Sequence, residues 1–153
     1  MRVVALVLAS TILALAAAGC GGGDDEPSRS PAVEKLAAVC EQARTDIEAL
    51  GLPSEAGFEV LKPWSARGKK LVREIEAIDG ATPDEQTQLD QIAKELGEYY
   101  AGLALGYEIY RKTKSSEAYA QSIDRASEFL ASAEKRAIAL GADECAVRPF
   151  PDE

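Results

Sequence analysis

An all-α fold, an antiparallel up-down-up-down four-helix bundle, is predicted by three features of this sequence. Apolar residues recur at steps of three and four in four successive segments after residue 31, as is typical of helix faces that pack on other helices. No segment alternates apolar and polar residues with period two, so no strand is predicted. The links between the segments are short, which favours an antiparallel order.

The first two segments end at glycines. The first carries its apolar stripe from Val33 to Leu50, and Gly51 follows directly, as a C-terminal glycine should. The second begins at Ser54 and stops at Gly80. Pro63 lies inside this segment, and a proline in a helix interior removes a hydrogen bond and clashes with the preceding turn. A break or kink is therefore predicted at Pro63.

The third segment has the clearest start. Thr82-Pro83-Asp84-Glu85 offers an N-cap threonine, a proline at the first helical position and a glutamate that can bond back to the cap. Its stripe runs from Leu89 to Tyr110. Leu96 lies on the stripe and Glu95 lies beside it, which predicts a core leucine and a glutamate whose truncation costs less than about 1 kcal/mol.

The fourth segment starts at Ser115 or Ser116, either of which can cap a helix. Its stripe runs from Tyr119 to Leu140, and Gly141 closes it. In an antiparallel bundle the first and last helices are neighbours, so the chain after Gly141 emerges near the start of the first helix. The four segments together form one predicted domain, residues 32–153.

The chain before this domain has two parts. Met1-Arg2 is followed by sixteen apolar or small residues, Val3 to Ala18, and this run is short for a membrane span of about 20 residues. A basic start, an apolar run and a small-residue cleavage site predict a secretory signal over residues 1–19. Residues 20–31 begin with Cys20 and continue with glycine, acidic residues and proline, which predicts a disordered tether.

Cysteine directly after Ala17-Ala18-Gly19 resembles the signal of bacterial lipoproteins. That resemblance implies cleavage before Cys20 and a diacylglyceryl group on its sulfur, so the expected location is extracytoplasmic, on a bacterial membrane. More than one acyl chain would hold the protein firmly, whereas one binds only marginally. An ordinary secretory signal ending near a cysteine, or an uncleaved anchor, is the alternative reading.

The charge of the chain argues against polyanionic partners. The whole sequence has 17 basic and 26 acidic residues, a formal charge of −9. Residues 1–19 contain one charged side chain, Arg2, so their removal changes the formal charge to −10. Such a surface repels phosphates, so we expect no nucleic-acid partner.

The absent residue types restrict the chemistry. The sequence has no histidine and no asparagine, and Met1 is its only methionine. Catalytic sites built on histidine, and zinc, copper, di-iron or haem centres held by histidine, are excluded. Carboxylate, hydroxyl, lysine or tyrosine chemistry remains, without a spacing that points to it. We expect no catalytic residues, no metal, no cofactor and no enzymatic activity.

Two cysteines remain once Cys20 is assigned to lipid. Cys40 and Cys145 form an even pair in an oxidising compartment, which predicts a structural disulfide. Two separate thiols are the first alternative. A redox-active dithiol is the second, although such sites normally have only two residues between their cysteines, whereas these two are 105 positions apart.

The third helix contains an unusual set of residues, three glycines and four of the five tyrosines. Close packing explains them if the glycines admit a bulky neighbour. A groove with a glycine floor and aromatic walls, suited to an apolar or ring-bearing ligand, is the functional alternative. The candidate groove residues are Trp64, Tyr99, Gly102, Gly106, Tyr107 and Tyr110.

The second helix carries the only dense basic run: Arg67, Lys69, Lys70 and Arg73. A solvated helix face is the simpler interpretation. Contact with anionic headgroups or a wall polymer is the alternative, but four charges beside an excess of acid make a poor membrane patch.

The closing residues Ala139 to Cys145, together with the cysteine in the first helix, resemble a broad group of small alanine-rich bacterial lipoproteins. The resemblance supports the bundle and the disulfide, and it provides no catalytic residues. The sequence therefore predicts a non-enzymatic envelope protein that binds a protein partner or serves structurally. A small apolar-ligand carrier or sensor is the second hypothesis.

Overall fold

Residues 29–51 and 57–146 are described by a computed structural model, and every regular element in these two ranges is helical. The four helices are α1, Pro31–Glu48; α2, Leu61–Glu76; α3, Pro83–Thr113; and α4, Ser116–Ala139. A 3-10 turn precedes α2 at Phe58–Val60, and another follows α4 at Asp143–Cys145. The predicted all-α class is confirmed. The predicted signal and the lipidation site Cys20 lie outside the described residues.

The predicted caps of α3 and α4 are present. The Thr82 hydroxyl accepts the Glu85 N–H at 3.3 Å, and the Glu85 carboxylate accepts the Thr82 N–H at 2.8 Å, which completes the capping box. At α4 the Ser115 hydroxyl accepts the Ala118 N–H at 3.1 Å. Of the two serines considered, Ser115 is therefore the cap and Ser116 is the first residue of the helix.

The start of α2 differs from the prediction. The helix begins at Leu61, directly after the 3-10 turn, and the predicted start Ser54 lies outside the described residues. Pro63 consequently occupies the first turn of α2, where a backbone N–H has no intrahelical acceptor. The predicted break at Pro63 is wrong, because α2 is one continuous helix from Leu61 to Glu76.

Gly141 closes α4 as predicted. Its φ is +88°, its N–H donates to the Ile138 carbonyl at 2.8 Å, and the next N–H, of Ala142, donates to the Ala137 carbonyl at 2.9 Å. These two bonds form a Schellman motif, which satisfies carbonyls of the last turn. The residue after α3, Lys114, also lies in the left-handed region, with φ of +57°, although it is not a glycine.

Successive helices pack on one another, and α3 contacts both α2 and α4. Helix α1 packs on α2 and on the 3-10 turn after α4. Side-chain contacts join neighbouring segments: Lys35 with Asp79, Asp46 with Arg67, Ser65 with Tyr100, and Glu95 with Arg136. Within the described ranges, no helix is both long enough and apolar enough to cross a membrane.

The core draws on all four helices. Its largest fully buried side chains are Trp64, Tyr99, Leu36, Leu61, Leu71, Ile75, Leu89, Ile92, Leu103 and Cys40. Leu96 is buried as well, with 4% exposure. The buried face of α1 is rich in small residues, including Ala32, Ala37 and Ala43.

A disulfide joins Cys40 of α1 to Cys145, and the two Cα atoms are 4.9 Å apart. Both cysteines are buried, at 1% and 4% exposure. The expectation that the first and last helices are neighbours is wrong, because the 3-10 turn after α4, and not the body of α4, makes the main contact with α1. The structure thus contains the predicted disulfide. This bond holds α1 to the segment that follows the last helix.

Candidate functional site

Trp64 and Tyr99, two of the candidate groove residues, lie in the core with 1% and 2% exposure. The Tyr99 ring meets the Tyr100 ring edge-on, with centroids 5.0 Å apart. Burial is the largest cause that raises the pKa of Tyr99, and the neighbouring Tyr100 adds to it. A phenol that stays neutral inside the core is a packing element. These two side chains therefore do not form the walls of an open groove.

The glycine that admits a bulky aromatic ring is Gly68 of α2. A Cβ atom at Gly68 would lie 2.1 Å from the Tyr100 ring, so the ring sits directly on the helix backbone. The Ser65 hydroxyl donates to the Tyr100 carbonyl at 3.1 Å and ties the same two helices together. Burial raises the pKa of Tyr100 to about 12. The expected close packing around glycine therefore occurs on α2 as well as on α3.

Gly102 and Gly106 bring α3 close to α4. A Cβ at Gly102 would lie 2.5 Å from the Ala126 Cβ, and one at Gly106 would lie 2.4 Å from the Ser122 hydroxyl oxygen. Side chains of α4 therefore fill the space beside both glycines. This arrangement agrees with close packing of α3 on α4 at both glycines.

We expect Gly102→Ala to destabilise the protein by about 1–3 kcal/mol, because a second methyl must displace Ala126 or the α4 backbone. Gly97→Ala is the matched control on the same helix. Nothing lies within 4 Å of a Cβ at Gly97, so this variant should gain up to about 1 kcal/mol from helix propensity. Urea unfolding measures both. Equal gains in the two variants would mean that the α3–α4 contact is looser than described.

Tyr107 and Tyr110 belong to a different neighbourhood, beside the 3-10 turn that precedes α2. The Tyr107 hydroxyl donates to the Glu59 carboxylate, and this bond is the largest cause that raises the pKa of Tyr107. The Phe58 ring packs on the Tyr110 ring at 4.1 Å and meets the Tyr119 ring edge-on at 4.8 Å. The six candidate groove residues thus fall into three separate environments.

The four residues of the basic run on α2 also lie in different environments: Arg67 is buried, and Lys69, Lys70 and Arg73 are exposed. Arg67 is buried and joins the Asp46 carboxylate of α1 at 2.6 Å and the Glu74 carboxylate at 3.0 Å. Lys70 pairs with Glu74 at 3.4 Å from the solvent side. The interpretation of the run as one solvated face is therefore wrong at Arg67, which is the cation that links α1 to α2.

Lys69 faces a cleft of about 530 Å³ between α2 and α3. Lys62 and Arg111 also line this cleft, and Arg111 pairs with Glu108 at 2.9 Å. The remaining charges are exposed lysines with flexible side chains. The cleft therefore lacks a rigid constellation that could bind one ligand in one orientation.

Glu95 also differs from the expectation. Its exposure is 6%, and its carboxylate accepts the Arg136 guanidinium of α4 at 3.1 and 3.2 Å and the Gln91 amide at 2.9 Å. Burial opposes its ionisation, but the hydrogen bonds from Gln91, Arg136 and Ser132 together lower its pKa. A charge outside the predicted stripe is thus a buried connection between α3 and α4.

Glu95→Gln should destabilise the protein at neutral pH by about 1–3 kcal/mol, reduced from the fully buried case because Arg136 is partly exposed. A lowered folded-state pKa contributes stability above the unfolded value, and that contribution disappears as the pH falls through the folded value. The gap between variant and wild type should therefore close below about pH 4. Glu76→Gln, at an exposed position, should show no such gap. A gap that does not change with pH would refute the ion pair.

The outer face of α3 and α4 has an apolar groove of about 450 Å³ that the apolar stripes did not predict. Leu105 and Phe129 stand beside it with 59% and 42% exposure. The other lining residues are mostly small or apolar: Ala101, Gly102, Ile109, Ala118, Ser122 and Ala126. Ala101, Leu105 and Ile109 recur every four residues, so a second, weaker stripe on α3 was the sequence signal for this groove.

Two residues of opposite charge also line this groove, hereafter the α3–α4 groove. Glu98 belongs to α3 and Arg125 to α4, and both are exposed. Neither takes part in an ion pair within the described ranges. The groove therefore offers apolar contact area together with one unpaired charge of each sign.

The described residues do not form a metal site. Within residues 29–51 and 57–146, no group of three or more acidic or cysteine side chains is placed to hold a metal ion. The buried carboxylate of Glu95 is neutralised by Arg136, and the buried Arg67 by its two acids. No protein-family model, curated protein or solved structure matches this chain.

Proposed function

We propose that this chain is a lipid-anchored, extracytoplasmic helical domain with a non-enzymatic role in the cell envelope, in which the α3–α4 groove binds a protein partner. The observation that carries the proposal is the exposure of Leu105 and Phe129 beside that groove. Single exposed apolar residues are ordinary on a protein surface, whereas Leu105 and Phe129 flank one groove and together offer a partner a joined apolar contact.

The proposed architecture is the up-down-up-down bundle. The reversed order of contacts supports it: Lys35 meets Asp79 while Asp46 meets Arg67, and Glu95 meets Arg136 while Gly102 meets Ala126. The two-residue link between α3 and α4 also supports it, because so short a link leaves room only for a sharp reversal. In this architecture α3 and α4 expose one side of their packed pair to the surroundings. That side carries the α3–α4 groove.

The proposed anchor is lipid on Cys20, after removal of residues 1–19. A buried disulfide supports an oxidising and therefore extracytoplasmic compartment, since disulfides are rare in the cytosol. The partners of the chain are then the membrane, through Cys20, and an envelope protein, through the groove. We propose no nucleic-acid partner, because the acidic charge of the chain repels phosphates.

The alternative is a carrier or sensor for a small apolar ligand at Trp64 and the tyrosines and glycines of α3. The burial of Trp64 and Tyr99 and the contacts of Gly102 with α4 favour a protein partner over this alternative. A ligand of that kind needs a largely preformed apolar pocket, and these side chains pack against protein instead.

Cys20→Ser should release the protein from membranes or leave its precursor uncut, because the acyl chains have no other attachment point. Membrane fractionation and mass measurement of the intact chain from its own cells check this result. Glu76→Gln, at an exposed position of α2, is the control and should stay in the membrane fraction. Identical membrane fraction and mass for the Cys20→Ser variant and the wild type would refute the anchor.

Chemical cross-linking of the full chain in intact cells tests the groove. We expect a cross-linked species that disappears in Leu105→Glu and persists in Ile138→Glu. Ile138 is a good control because it is also an exposed apolar residue, at 49%, and lies outside the groove. No cross-linked species, or an equal loss in both variants, would refute partner binding at the groove.

A further inference from the structure

We propose that the α3–α4 groove pairs with the same groove of a second copy of this chain, which makes the protein a two-fold symmetric dimer. The inference rests on the proposed function and names its partner. In a two-fold interface one patch meets itself, so the patch must carry both members of every complementary pair. The α3–α4 groove meets this requirement in shape and in charge.

The shape requirement is met by two large side chains beside a floor of small ones. Leu105 and Phe129 project from the surface with 59% and 42% exposure. The floor beside them contains Gly102 and Ala126, whose contact draws the two helices together. Each copy therefore presents apolar side chains that protrude and a shallow depression that can receive those of the second copy. Burial of these apolar surfaces favours association.

The charge requirement is met by Glu98 and Arg125. A two-fold axis parallel to the helices places α3 of one copy against α4 of the other, so Glu98 faces the helix that carries Arg125. Gly102 lies opposite Ala126, so the two charged residues differ by about 7 Å along the helix axis. The length of the arginine side chain covers most of that offset. The pair then forms twice, once on each side of the axis.

The same charges explain why two acidic chains can meet at this face. The chain has a formal charge of −9, so most orientations of two copies repel one another. The lining of the groove carries one acid and one base, Glu98 and Arg125, and is therefore neutral as a whole. A strongly basic or strongly acidic partner would find no matching excess of charge there.

The proposed anchor favours the same geometry. An axis parallel to the helices keeps the two copies parallel, so the beginnings of the two α1 helices lie at the same end of the dimer. Both Cys20 anchors can then enter one membrane. Confinement to a membrane surface raises the effective concentration of the copies, which strengthens a modest interface.

The test uses charge reversal on the full chain, extracted in detergent, with the mass of the complex measured by light scattering. Glu98→Arg places two arginines together at each contact, and Arg125→Glu places two glutamates together. Each variant alone should dimerise at least about tenfold more weakly. In an equimolar mixture each variant offers the charge that the other needs, so mixed dimers should form with affinity near that of the wild type.

Glu76→Arg is the matched control, since it makes the same charge change at an exposed position of α2, outside the groove. It should leave dimerisation unchanged. Circular dichroism establishes that the variants are folded, and recovery in the mixture excludes misfolding as the cause of a loss. Recovery also separates contact between chains from a pair within one chain, which mixing cannot restore.

Three results would overturn the inference: a wild-type chain that stays monomeric, dimers that ignore both reversals, or a mixture that does not recover. The proposed function fails separately. If the cross-linked species in cells depends on Leu105 but contains a different protein, the groove still binds a partner and the second copy is excluded. If no cross-linked species forms, both proposals fail.

Discussion

Leu96→Asp should unfold a large fraction of the protein at room temperature. Leu96 is 4% exposed in the core, on α3, the helix that contacts both α2 and α4. Aspartate at this position removes a buried apolar side chain and leaves a carboxylate without a partner. The expected loss is about 4–5 kcal/mol or more, comparable with the whole stability of a small domain.

The matched control is Leu105→Asp, the same substitution nine residues later on the same helix. Leu105 is 59% exposed, so its loss should stay under about 1 kcal/mol, much of it from the lower helix propensity of aspartate. Urea unfolding followed by the fluorescence of Trp64, the only tryptophan, measures both variants. Similar midpoints for the two would show that the inward face of α3 is assigned incorrectly.

Loss of the Cys40–Cys145 disulfide should have the next largest effect. The bond links positions separated by 105 residues, and closing so long a loop is worth up to about 4–5 kcal/mol in the chain-entropy treatment, with measured values often nearer 2–4. The effect should be strong here because the bond is the covalent link between α1 and the 3-10 turn after α4, and three of the seven buried residues of α1 are alanine.

A double-mutant cycle gives the sharpest test. Cys40→Ala, Cys145→Ala and the double variant each remove the same single bond, so all three should lose nearly the same free energy of unfolding. Independent thiols would instead give two small losses that add. Reduction is a weaker test, because both sulfurs are buried and a reductant reaches them only after the structure opens. Additive losses would contradict the disulfide.

The helix boundaries were predictable because their causes are local. The capping box of Thr82 and Glu85 and the Schellman motif at Gly141 involve residues within one or two turns of each other. The exception is α2. A helix that begins at Ser54 has Pro63 in its interior, whereas α2 begins at Leu61 and has Pro63 in its first turn.

The candidate site was less predictable. Trp64 and the tyrosines of α3 stood out by composition, but composition does not distinguish a packed aromatic core from a groove. The residues that line the exposed groove are ordinary types such as leucine, alanine and phenylalanine. Leu105 and Phe129 lie outside the main stripes, and their exposure depends on which side of α3 and α4 the other helices cover.

The sequence by itself determined the helical class, most helix ends and the cysteine pair, because periodicity, caps and cysteine parity act over short stretches or by simple counting. Only the tertiary structure decided that Glu95 and Arg67 are buried, that Gly68 receives the Tyr100 ring, and that α3 and α4 leave an apolar groove uncovered. Each of these depends on the partner that another helix supplies across the core. A helix such as α3, with neighbours on two sides, buries positions beyond a single stripe, and its own sequence does not specify which ones.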